Sequence, residues 1–250
     1  MKGEEIGWEE IQKNNPQFKF GLEGEAFQFF IDLTSKEGVY RQIKILLPEN
    51  DLTWQGTFAG IGKNEFNFFD LKPKDGDNII DMGCNYGLIS MACAVLYPKC
   101  KIHAFDPCKQ AISFLQLNCF INGIRNLVLY NTAVTDSEEP TLDFYSNLGD
   151  GPSCFVPPQS KEEDHTPVGK HKNTHIKNVL GEIKNICFLK MDIEGSEYGI
   201  FDYLFENIEE FQDNLPSRVH IEVHGGEDKK DCLIKKLKKL FSSDENIIKK

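Results

Sequence analysis

The stretch Asn78–Gly87, NIIDMGCNYG, decides how this chain folds. A short apolar run, Ile79 and Ile80, ends in Asp81. Gly83, Asn85 and Gly87 then follow at close spacing, all residue types that tolerate unusual backbone geometry. The pattern reads as a buried strand, a tight turn and a helix opening at Leu88. Glycine removes the Cβ that would keep a ligand away from the backbone, and the free N–H groups of a helix start point back at the turn. A nucleotide-type ligand is the expected occupant.

Outward from that stretch the chain alternates. Strand 101–106 (KIHAFD) leads to a helix over 108–122, where Ala111, Phe114, Leu115 and Asn118 keep helical spacing and Gly123 supplies the stop. Strand 127–131 follows. After a short helix over 176–183, strand 186–192 (ICFLKMD), a helix over 197–205 and strand 218–224 (RVHIEVH) continue the alternation. Such spacing predicts βαβ units, a mostly parallel sheet with right-handed crossovers, and a ligand at the carboxyl ends of the strands. His103 and His220 lie within strands, as core or edge residues.

The flanks differ in texture. Residues 1–16 read as a short helix or loose arm anchored by Trp8 and Ile11. FKFGLEG, AFQFFIDLT and VYRQIKILLP read as two or three antiparallel strands. A helix is expected within 58–71, after Gly62. Leu142–Ser146 reads as an edge strand, and 147–173 as a long mobile loop, either a functional lid or disorder. His165, His171 and His175, in and beside that loop, have no fixed register, so no metal site is expected. Lys229–Lys239 (KKDCLIKKLKK) places Leu233, Ile234 and Leu237 at helical spacing, an amphipathic surface helix with solvated lysines. Two units are expected: a β-rich extension or cap over 1–70 and a ligand-binding domain over 71–250.

Composition narrows the class. The chain has 250 residues and a net charge of −11, which argues against general nucleic-acid binding, since phosphate backbones require clustered Lys and Arg. No signal-like h-region opens the chain and no apolar run reaches about 18 residues, so no transmembrane segment and a cytoplasmic location are expected. The eight cysteines form no CxxC pair and read as reduced, mostly buried thiols.

Acids end three of the strands: Asp81, Asp106, and Asp192 with Glu194. Asp106 lies about 20 residues beyond the glycine turn, where a carboxylate accepts hydrogen bonds from ribose hydroxyls. A dinucleotide fingerprint offers bare N–H groups to a pyrophosphate, whereas here an acid precedes the turn. That acid repels a pyrophosphate and attracts an ammonium or a sulfonium. S-adenosylmethionine carries both cations, an adenosine and no phosphate.

DMGCNYG, FDP (Phe105–Pro107), NTAVTD (Asn131–Asp136), LKMDIEGSE (Leu189–Glu197) and HIEVHG (His220–Gly225) together resemble the FkbM family of S-adenosylmethionine-dependent methyltransferases, over roughly 74–226. The glycine turn suits many class I methyltransferases; KMDIEGSE is far more specific. The resemblance implies an α/β, Rossmann-like class I sheet and O-methylation of a sugar or another small hydroxyl-bearing acceptor. It also implies that Gly83, Cys84, Asn85 and Gly87 cradle the cofactor. Asp81 would then serve the methionine amine, directly or through water, Asp106 the ribose, and Asn131, Thr132 and Ala133 the adenine.

For catalysis the candidates are Asp192, Glu194, Glu222 and His224, with His224 as base and Asp192 also beside the cofactor. The bland alternative for Asp192 and Glu194 is capping of the next helix. Were a divalent metal needed, that pair is where it would lie. The sequence departs from the family pattern at Cys84, at Tyr86, expected to narrow or stack over the cofactor, and at the C-terminus. There a reversed hairpin is missing, so either an edge is truncated or the N-terminal strands cover it. The rival readings are an NAD-dependent oxidoreductase and a non-catalytic methyltransferase-fold binding protein. Acceptor and oligomeric state stay open.

Overall fold

The computed structural model describes residues 4–7, 25–34, 38, 40–48, 54–147, 165–224, 227–241 and 247–249. The apolar run at 78 forms β4 (Asn78–Met82), and its neighbours are β5 (Lys101–Phe105), β6 (Leu127–Tyr130), β10 (Ile186–Met191), β11 (Val219–Ile221) and β12 (Ile247–Lys249). These make one parallel sheet in the order β12-β11-β10-β4-β5-β6. From β4 the chain steps one way to β5 and β6, then returns to β10 on the other side of β4. The β4/β10 boundary is therefore the topological switch point, and in open α/β sheets ligands bind outside the carboxyl ends of the strands at such a point.

Alternate residues of these strands feed two cores, as expected of a parallel sheet covered on both faces. Ile79, Ile102 and Phe188 pack with α2 (Leu88–Leu96) and α3 (Lys109–Ile121). Ile80, Met82, Leu189 and Met191 pack with α4 (Ile176–Glu182), α5 (Glu197–Glu206) and α7 (Glu227–Leu240). α2 is buried from Leu88 to Ala94, an all-round burial that needs a second cover.

That cover is an antiparallel sheet of β1 (Glu4–Gly7), β2 (Glu25–Thr34) and β3 (Tyr40–Pro48), whose Phe29, Ile31, Ile43, Ile45 and Leu47 share the first core. Its first strand lies within the segment expected as helix or arm; Trp8, Ile11 and the FKFGLEG run lie outside the described residues. The N-terminal strands thus sit on α2 and α3 and leave the β11 edge alone. β12 takes that edge, in parallel register rather than as a reversed hairpin: Val219 faces Ile247 and Ile221 faces Lys249.

Three further expectations are corrected. The helix near 58–71 is α1 (Trp54–Gly62), followed by a 3-10 turn at Phe68–Asp70; Asn64 and Asn67 adopt left-handed φ of 55° and 49° and break it. Of the loop expected over 147–173, residues 165–173 are strand instead, because β9 (His165–His175) pairs antiparallel with β8 (Thr141–Asn147) and parallel with β7 (Ala133–Thr135); residues 148–164 lie outside the described ones. Strand 218–224 hydrogen-bonds as a strand only over β11. α6 (Ile208–Phe211) completes the helices described. α7 buries Leu233 and Leu237 and exposes Lys235, Lys238 and Lys239, as its spacing requires. No described helix is long and apolar enough to cross a membrane.

Candidate active site

The glycine turn is shaped first by its own packing. Gly83 has φ 71°, and a Cβ there would lie 1.7 Å from the Asp192 carbonyl oxygen; one on Gly87 would lie 2.2 Å from Leu115. So these glycines let β4 approach β10 and let α2 approach α3. Asn85 takes φ 48°, and the N–H groups of Gly83 and Cys84 both donate to the Phe105 carbonyl, at 2.9 and 3.0 Å. Cys84 is buried, and burial pushes its thiol well above the ordinary range. Tyr86 is buried edge-on against Phe114, so it fills the core instead of stacking over a cofactor.

Asp106 ties this turn to the next. Its two carboxylate oxygens accept from the Asn85 and Cys108 amides, each at 2.8 Å. Burial raises its pKa to about 6, against the lowering by those two amides and the Lys190 charge. Asn131 donates to the carbonyls of Asp106 and Pro107, which holds the β6 end beside that carboxylate. Thr132 and Ala133 are buried, with the Thr132 hydroxyl 3.1 Å from that of Thr174.

Asp81 lies beneath the turn. It is 1% exposed, on the α2 side of the sheet, and accepts from Ser90 at 2.6 Å. Opposite it in register lies Lys190, whose ammonium sits 3.4 Å from Asp81 and 3.6 Å from Asp192 and donates to the Gly83 carbonyl at 2.7 Å. Burial alone would lower the Lys190 pKa, but the Asp81 and Asp192 carboxylates outweigh it and hold the ammonium above its usual range. Sequence reading passed over Lys190. Its one signal was a charge inside the apolar run ICFLKMD.

Beyond β10 the chain turns through Glu194 (φ 54°) and Gly195 (φ 108°) before α5. The left-handed Glu194 is costly for a residue with a Cβ, and it turns the carboxylate toward His224 instead of onto the helix start. His224 Nε2 lies 3.4 Å from Glu194 and 3.7 Å from Asp192, while Nδ1 is 2.9 Å from Glu197 Oε1. Capping therefore does not account for Asp192 and Glu194; the acid of the first helical turn is Glu197, fully buried.

Burial works against a charged His224, yet the Glu197 hydrogen bond and the Glu194 and Asp192 charges raise its pKa to about 9. It carries a proton near neutrality, which unfits it as the expected base. Burial raises the Glu194 pKa, partly countered by His224. Glu222, just past β11 and flanked by buried Ile221 and Val223, is half-buried and adds to the field on Glu194. Of the other histidines, His175 accepts from the Lys177 amide at the start of α4 and His171 contacts the Pro107 carbonyl; the His165 side chain lies outside the described ones.

The Methyltransferase FkbM domain family matches residues 81–247, from the end of β4 to β12. "Methyltransferase 1" of Beauveria bassiana is 22% identical over 165 residues, covering 59% of this chain and 66% of that protein. Ribosomal RNA large subunit methyltransferase G of Shewanella denitrificans is 37% identical over 48 residues, 19% of this chain and 12% of that one. The chain thus spans less than two thirds of the length of these curated relatives. Among solved structures, a precorrin-6y C5,15-methyltransferase from Geobacter metallireducens aligns over 77% of this chain and 74% of that one, at 14% identity and a TM-score of 0.42.

Proposed function

Since the chain belongs to the Methyltransferase FkbM domain family, we propose that it moves a methyl group from S-adenosylmethionine to an oxygen of a small hydroxyl-bearing acceptor, such as a sugar. The observation that carries the reading is the charge at the carboxyl ends of the central strands. Asp106 follows β5, Asp192 and Glu194 follow β10, and the neighbouring cations, Lys190 and His224, are each already paired with carboxylates. A pyrophosphate meets repulsion at such an edge, and a sulfonium with an ammonium is attracted. The donor set fits S-adenosylmethionine, which when bound supplies an electrophilic methyl group.

In this reading Asp106, with one amide on each oxygen, keeps lone pairs for the ribose hydroxyls. The backbone of Gly83, Cys84, Asn85 and Gly87 borders the cofactor, and Asn131, Thr132 and Ala133 flank the base. Asp81 acts from beneath, by fixing Lys190 and Ser90. In-line positioning supplies most of the acceleration, as the acceptor oxygen bonds to the methyl carbon and the carbon–sulfur bond breaks. The acceptor proton passes to a carboxylate, with Glu194 the best placed because burial makes it a stronger base. Protonated His224 holds Glu194 and Asp192 in position.

Calorimetry with S-adenosylhomocysteine and with NAD tests the cofactor. Wild type binds the former, and Asp106→Ala weakens it at least ~10-fold, the loss of a charge-assisted hydrogen bond or more. Uptake of labelled methyl groups across a panel of hydroxyl acceptors then identifies the substrate. Binding of NAD without S-adenosylhomocysteine overturns the proposal.

A further inference from the structure

We propose that Asp192, Glu194 and His224 form a site for a divalent first-row transition metal of the Mn2+ type, with Glu197 as the residue that orients the histidine. One carboxylate oxygen from each acid and one imidazole nitrogen lie within 4.8 Å of one another. His224 Nε2 stands 3.4 Å from Glu194 and 3.7 Å from Asp192. Ligand atoms sharing an ion at about 2.1 Å sit roughly 3.0–3.4 Å apart, so closure needs shifts of a few tenths of an ångström at most of these contacts.

The other side of the imidazole is built for the same purpose. Glu197 Oε1, 2.9 Å from Nδ1, fixes the tautomer that leaves Nε2 as the ligand, an arrangement that also raises the basicity of a metal-bound histidine. A second observation is that the Glu197 carboxylate depends on positive charge held at the imidazole, whether as a proton or as a bound ion. Glu197 is fully buried, its carboxylate is directed at His224, and its Oε2 has no hydrogen-bond partner among the described residues. A buried carboxylate with an unsatisfied oxygen is expensive unless strong positive charge lies near. An ion on Nε2 delivers that charge through the imidazole.

The ligand set names the ion. Two carboxylates suit Mg2+, Ca2+ and Mn2+, whereas the imidazole favours a transition metal, and Mn2+ meets both demands. Ca2+ takes oxygen ligands, so the imidazole nitrogen of His224 disfavours it. Three protein ligands leave open positions, as catalytic metal sites do. An ion here replaces the proton on His224, and a hydroxyl bound in an open position loses its proton more readily. That last use rests on the methyl-transfer reading; the binding of the ion does not.

The test is a titration of chelator-stripped full-length chain with MnCl2, reading free Mn2+ by electron paramagnetic resonance, beside calorimetry with S-adenosylhomocysteine on the same samples. One ion per chain is expected. Glu194→Gln and His224→Ala should weaken binding at least ~10-fold, Glu197→Gln about 10–100-fold, and Glu210→Gln on the exposed surface not at all. Near-UV circular dichroism checks that each variant is folded, and a Mn2+-induced rise in Tm that Glu194→Gln lacks gives a second readout. Mn2+ binding without S-adenosylhomocysteine binding upholds this site while the methyl-transfer reading fails. Failure of folded wild type to bind Mn2+ up to about 1 mM, or undiminished binding by folded Glu194→Gln, overturns the site alone.

Discussion

Lys190 shows how little a single residue's type says about its work. It stands inside an apolar strand, and only the register of β10 against β4 puts it opposite Asp81, beneath the Gly83 carbonyl. The pair is buried on the α2 side, so it sets the charge of the turn from below. His103 is the complementary case, a strand histidine expected in the core or at an edge and found 4% exposed, with its ring nitrogens on Tyr130 and Asn78 at 3.0 and 2.9 Å. Burial, with a smaller push from Lys101, lowers its pKa from 6.5 to about 4. A histidine depressed in the folded state contributes stability that is full above 6.5 and is lost as pH falls through about 4. Urea unfolding of wild type should therefore lose more stability between pH 7 and pH 4.5 than that of His103→Gln. Equal losses in the two proteins would dismiss His103 as the source.

At the scale of elements, α3 does something its spacing hid. Asn118 falls on the apolar side of that helix and is fully buried, where a hydrophobic residue is the ordinary choice. Its amide accepts from the Leu46 N–H at 2.8 Å and donates to the Leu46 carbonyl at 2.9 Å; Asn122, one turn on, does the same with Lys44. β3 is an edge strand of its sheet, and the two asparagines satisfy the backbone groups that another strand would otherwise pair. Asn118→Ala should strand one N–H and one C=O of Leu46 in the interior and cost about 2 kcal/mol or more in chemical denaturation. Hydrogen exchange at the Leu46 amide should rise with it, and an unchanged rate would refute the account. Helical periodicity predicted that Asn118 faces inward; what it faces depended on where β3 lies.

For the whole molecule, the N-terminal strands and the parallel sheet share one apolar core across α2 and α3. Leu47→Ala, at a fully buried position of β3, should cost about 2–5 kcal/mol and lower a single common transition seen by far-UV dichroism and tyrosine fluorescence. Two separated transitions would mean that the extension folds as its own unit. The strand–turn–helix at 78–96, the alternation after it and the acids at strand ends were legible because each rests on local periodicity and on residues that tolerate a given φ. The family resemblance was legible for the same reason, as short motifs in fixed order. β12, the passage of residues 165–173 of the expected loop into β9, and the pairing of Lys190 with Asp81 were not, because each depends on partners far along the chain; Lys190 and Gly83 lie 107 residues apart. Sequence by itself determined the sheet, the strand ends at which acids stand and so the sign of charge there. Tertiary structure alone decided that Asp81 is turned inward, that His224 is clasped by three carboxylates and that Glu197 stands behind it. Register and packing set which charges meet, and neither can be read from one strand at a time.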